Sequence, residues 1–148
     1  MTKFRLRPGA NYLSEASVED LYSLNEKWKS EISFYETELA FLKKLITEHF
    51  ILFTKNEPIE MIDALLNKIN TELERCIDFK TRIKEQMNNA MLLTEKSNAT
   101  SENAFRIENS DLEDDLVKFK KGEQILKGYI FEEMDGVIRS VALAAPKK

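Results

Sequence analysis

Apolar side chains recur every three or four positions along most of this chain, and that spacing limits its fold more than any other feature. In the first run they stand at Leu21, Leu24, Trp28, Ile32, Tyr35, Leu39, Leu42, Ile46 and Phe53, with His49 on the same stripe. Residues three and four apart share one side of an α-helix, whereas a half-buried strand alternates every second position. Ser17 followed by Asp20 is a variant of the helix-opening cap pattern, so the first helix is expected over 17–54. Pro58 disfavours helical geometry at Glu57 yet fits a first turn itself, which predicts a second helix over 58–95.

The second stripe is Ile62, Leu65, Ile69, Leu73, Cys76, Lys80, Ile83, Met87 and Ala90. Double steps of four at 24, 28, 32 and at 65, 69, 73 relax a left-handed supercoil, so a bundle is expected and not a uniform heptad coil. "KSNATSENAFRIEN", residues 96–109, is rich in Ser, Asn and Thr, which compete for backbone hydrogen bonds and favour turns; it is expected to be a connection, with room for a helical turn around Phe105 and Ile107. Ser110 with Glu113 forms a capping box that opens a third helix over 111–143, whose stripe runs Leu112, Leu116, Phe119, Glu123, Leu126, Ile130, Met134, Val137 and Val141. Residues 1–16, with "RPGAN" and with Lys3, Arg5 and Arg7 against Glu15, read as an irregular basic arm.

The expected fold is therefore all-α: a single helical domain over 1–148, built as an elongated, coiled-coil-like antiparallel three-helix bundle. The short link at Pro58 makes the first two helices a hairpin. Helices of about 38, 38 and 30 residues are about 57, 57 and 45 Å long and must pack lengthwise to bury their stripes. Whether the third folds back in its own chain or exchanges into a neighbour is left open by a connection of that length.

Charge and composition exclude several functions. A net charge of −4 gives no global attraction to nucleic acid or an anionic membrane. The sign is uneven, one Arg against six acids over 97–116 and seven basic residues against four acids over 117–148. A lone cysteine, Cys76, rules out an intramolecular disulfide, and no run approaches the roughly 20 apolar residues of a membrane span; a cytoplasmic setting is expected.

Candidate sites are few. With Ile32 at heptad position a and Tyr35 at d, Phe34 and Phe41 fall at c, and Leu45 and Leu52 at g. This apolar arc is wider than one seam requires, so Phe34, Phe41, Leu45 and Leu52 form a candidate interface. Gly122, Gly128 and Gly136 lie inside a helix, where each costs about 1 kcal/mol relative to Ala, so close backbone packing or a hinge is expected there.

His49 and Glu48 are adjacent and point about 100° apart, and Ile46 stands where a dimetal Glu-x-x-His pair would need its acid. His49 is expected to be a satisfied histidine near a helix end. Asp111, Glu113, Asp114 and Asp115 suit the positive end of a helix dipole, with Asp114 placed to pair with Lys118. Glu123 and Lys80 occupy stripe positions and are expected to snorkel from an open seam, the alternative being a buried pair that fixes register. Cys76 is expected to act as a small core hydrophobe.

These readings favour a non-enzymatic interaction or structural module that self-associates, with protein as partner and no catalytic residue, metal or cofactor. A bundle binding a metal or small ligand between helices, with enzymatic activity, is the alternative. A third reading, nucleic-acid binding, would use the basic arm and "KFKK".

Overall fold

The computed structural model describes residues 12–144, and every element among them is a helix. In chain order these are α1 (Tyr12–Glu15), α2 (Val18–Glu48), α3 (Phe50–Asn56), α4 (Ile59–Glu95) and α5 (Ala99–Ala144). The chain turns twice, so that α4 runs back along α2 and α5 then runs in the direction of α2. Glu31–Lys120 and Glu38–Lys127 share one offset of 89 residues, as parallel helices require. Arg82, by contrast, meets both Glu108 and Asp115 across the reversed α4–α5 pair.

Each boundary has a local cause. Ser17 accepts a hydrogen bond from the Asp20 amide at 3.0 Å and caps α2, as its sequence context suggests. Glu57 and Pro58 are extended, with ψ of 146° and 149°, and α4 begins directly after them.

The helix expected over 17–54 is interrupted at His49, whose φ of −112° and ψ of 24° leave the helical region. Its ring Nδ1 and its own amide both lie near the Leu45 carbonyl, at 3.0 and 3.2 Å, so a side chain has entered the helical ladder. This break starts α3, which packs on α4 and α5 and buries Phe53 completely. Within the arm expected over 1–16, Tyr12–Glu15 are helical and Ala16 packs against the core; residues 1–11 lie outside the described residues.

The connection expected over 96–109 is only Lys96, Ser97 and Asn98. Asn98 caps α5 by accepting from the Ser101 amide at 3.0 Å, so Ser110 and Glu113 lie well inside a helix and do not start one. Tertiary contacts override the low helix propensity of "ATSENA". Phe105 and Asn109 are buried, Gln86 donates to the Phe105 carbonyl at 2.9 Å, and Arg106 joins Glu102 at 3.0 Å while donating to the Leu13 carbonyl at 3.0 Å.

The core runs the length of the three long helices. It contains Leu21, Trp28, Ile32, Leu39, Leu42 and Ile46 from α2, with Ile62, Ile69, Cys76, Phe79 and Ile83 from α4. From α5 come Leu112, Leu116, Phe119, Leu126 and Ile130. Burying a large aliphatic or aromatic side chain is worth about 1.5–3 kcal/mol, so this continuous seam holds helices of about 46, 55 and 69 Å side by side.

On α4 the seam is wider than its spacing suggests. Lys80 faces α2 through Glu36 at 2.8 Å, with the half-buried Leu73 and Met87 one heptad to either side, whereas Glu72, Phe79 and Gln86 form a second buried row that meets α5 through Phe119 and Asn109.

Candidate functional site

Two features of this scaffold stand apart from ordinary packing. One is the outer flank of α2, and the other is a buried polar seam where α2, α4 and α5 meet.

On the flank, Phe34 and Phe41 are 59% and 56% exposed, more than half of each ring in solvent. They lie seven residues apart on one continuous helix and therefore point the same way. Leu45 and Leu52 are half-buried, and Leu52 lies past the His49 break and packs on the core. The four candidate residues thus separate: two rings stand free, one leucine edges them, and one is largely committed to the interior.

Phe34 is also the outermost member of a chain of rings. It meets Tyr35 edge-on at 5.9 Å, Tyr35 meets Phe119 at 5.8 Å, and Phe119 meets Phe79 at 5.3 Å, crossing from the surface of α2 to α4. Alongside it, the Lys120–Glu31 and Lys127–Glu38 ion pairs, at 2.6 and 3.2 Å, close the α2–α5 seam.

In the polar seam, Asn25, Gln86 and Asn109 are buried, one from each long helix. Asn25 Nδ2 and Gln86 Nε2 both donate to Asn109 Oδ1, at 3.1 and 2.9 Å. Such a layer fits one axial alignment of the helices and penalises others.

About four turns farther along α5, Glu123 is 3% exposed, and its Oε2 has no hydrogen-bond partner among the described residues. Burial pushes its carboxyl up to about 7, reinforced by the negative charges of Glu72 and Glu38 and opposed by Lys127 and Lys68. The expectation that Glu123 snorkels is wrong, because the second buried row of α4 closes over it. Glu72 is equally buried but draws Lys68 and Arg75 to 3.2 and 3.3 Å. Lys80 does keep its head partly in solvent, where it pairs with Glu36.

The remaining candidates separate in the same way. Cys76 is buried, and burial first, then the charges of Glu123, Glu36 and Glu72, hold its thiol up at about 12, the opposite of an activated thiolate. His49 is half-buried and turned to the Leu45 carbonyl; because a carbonyl only accepts, Nδ1 carries the proton. Glu48 points to Lys44 at 4.0 Å.

Asp111 to Asp115 lie about three turns inside α5, so the helix dipole does not explain them; Asp115 and Glu108 instead hold Arg82 at 2.8 and 3.1 Å. At Gly122, Gly128 and Gly136 an added methyl would meet nothing within 4 Å, so close backbone approach does not account for these glycines.

An open cleft of about 850 Å³ lies beside the α4–α5 turn, lined by Arg82, Gln86, Leu92, Leu93 and Phe105. Of these, Arg82 is already engaged by Asp115 and Glu108, and Gln86 by Asn109 and the Phe105 carbonyl. Among the described residues no group of three or more His, Cys, Asp or Glu side chains could hold a metal ion, and no helix is long and apolar enough to cross a membrane. The basic segment proposed for nucleic acid lies largely outside the described residues; within "KFKK", Phe119 is buried and Lys120 is held by Glu31.

No family model matches this chain, and neither the curated proteins nor the solved structures contain a similar one.

Proposed function

We propose that this chain is a non-enzymatic protein-interaction module, an elongated coiled-coil-like three-helix bundle that self-associates. The observation carrying this reading is the pair Phe34 and Phe41, two large rings on one outward helical face with more than half of each exposed. Aromatic side chains left in water on a rigid helix are the usual anchors of protein interfaces. The charged residues around them set alignment, and the interior supplies stability. The buried, high-pKa thiol and the absence of other cysteines suit a single domain working in the cytoplasm.

Sedimentation equilibrium over a wide concentration range tests this reading. Association of the parent, weakened by Phe34→Ser or Phe41→Ser with helicity and melting unchanged, supports it. A parent that remains monomeric at high concentration sinks it.

A further inference from the structure

Building on that reading, we propose that the partner on this face is a second copy of the chain, its α2 laid antiparallel so that Phe34 of each copy faces Phe41 of the other. Charge selects this arrangement. The exposed residues bracketing the two rings along α2 are Lys27 on one side and Glu48 on the other, placed symmetrically about the point between Thr37 and Glu38. A twofold axis through that point sets Phe34 against Phe41, Phe41 against Phe34, and Lys27 against Glu48 at both ends. Ser30, small and exposed, then comes level with the half-buried Leu45. A closed dimer needs such a self-complementary patch.

Every neighbouring alignment is worse. Centred on Phe41, the antiparallel pair sets Phe34 against Glu48 and leaves Lys27 beyond the end of the partner α2, with no acid opposite it. Centred on Phe34, it sets Phe41 against Lys27 and Glu48 against Asp20. In a parallel, in-register pair Lys27 meets Lys27 and Glu48 meets Glu48. The first of these opposes a ring to a carboxylate and gains no ion pair, and like charges face each other in the other two, which disfavours each alignment. In the proposed alignment Thr37, exposed and uncharged, meets its own symmetry mate beside the axis. The one unfavourable approach is between the two copies of Glu38, and each is already neutralised by its own Lys127 at 3.2 Å. Glu48 is free to exchange partners because its own Lys44 is 4.0 Å away and both side chains are more than half exposed.

Two independent measurements test this, each on the full chain. In a Cys76→Ala background, Thr37→Cys sits beside its symmetry mate and should form a disulfide-linked dimer on mild oxidation, whereas Ser23→Cys, far from the axis, should not. Separately, Lys27→Glu and Glu48→Lys should each weaken the dimer about threefold to tenfold, since each removes two exposed pairs, and the double variant should return to within about twofold of the parent. Cross-linking through Ser23→Cys, or charge reversals that do not compensate, overturns the antiparallel alignment while leaving self-association standing. A parent that stays monomeric to about 1 mM, or whose face is occupied only by a foreign protein, overturns both this inference and the self-association it rests on.

Discussion

Replacing Glu123 by Gln should change how stability depends on pH. In the folded chain the carboxyl titrates at about 7, against an ordinary 4.5. Below pH 4.5 it is protonated both folded and unfolded, and its full contribution to stability is present. As pH rises from 4.5 to 7 the unfolded chain gives up this proton and the folded chain keeps it, so stability falls. Above 7 both states are ionised and the loss levels off.

A gap of about 2.5 units at about 1.4 kcal/mol per unit sets the loss at no more than about 3.5 kcal/mol. Glu123→Gln keeps the shape and removes the titration. Its buried amide, which lacks an evident partner, costs about 1–2 kcal/mol at every pH. The variant should therefore be less stable than the parent by about 1 kcal/mol at pH 4.5 and more stable by up to about 2 kcal/mol at pH 8. Urea unfolding of both proteins at half-unit steps checks this, and subtraction cancels other raised acids such as Glu133 beside Glu57. Two parallel profiles, differing by a constant across pH 4.5–8, would refute the assignment of a buried, proton-retaining carboxyl.

Three further outcomes follow from the same geometry. Asn109→Leu should lower stability by about 1–3 kcal/mol in urea, because it strands the amide of Asn25 and leaves Gln86 only the Phe105 carbonyl, and the triple change of Asn25, Gln86 and Asn109 to Leu should recover most of that loss. Gly122→Ala and Gly128→Ala should each raise stability by about 0.5–1 kcal/mol, since a methyl meets open space on a continuous helix; a loss at either position would reveal a bend the helix needs. Cys76 should resist a thiol reagent at pH 8 in the native protein and react fully in denaturant, a contrast readable by absorbance.

The helical class and the stripe of α2 were legible because the residues that α2 buries from Leu21 to Ile46 are apolar with the one exception of Asn25. The stripe of α5 was legible for the same reason from Leu112 to Met134, with Glu123 as a member of the right row in an unexpected environment; the side chains of Val137 and Val141 lie outside the described residues. On α4 the apolar row through Cys76 and Ile83 was legible and the buried row through Phe79 was not, since two of its members, Glu72 and Gln86, are polar and carry no hydropathic signal. Residues 99–109 were misjudged because their support is tertiary, coming from Gln86, Arg106 and the burial of Phe105. The break at His49 turns on one ring reaching one carbonyl, which no spacing rule contains. Phe34 and Phe41 were legible as surplus, because they fall outside the arc that the other helices cover.

The chain's lone tryptophan gives the molecule an optical gauge of its own. Trp28 is wholly shielded, lies with Ile32 against Leu116 and Lys120 of α5, and its indole N–H has no hydrogen-bond partner among the described residues. Its emission should therefore be strongly blue in the native state and should shift to the red when α5 lifts away, even while α2 and α4 stay paired. Because the indole points away from Phe34 and Phe41, binding at the outer flank should leave that colour unchanged. One spectrum can thus distinguish the opening of a single chain from the parting of two.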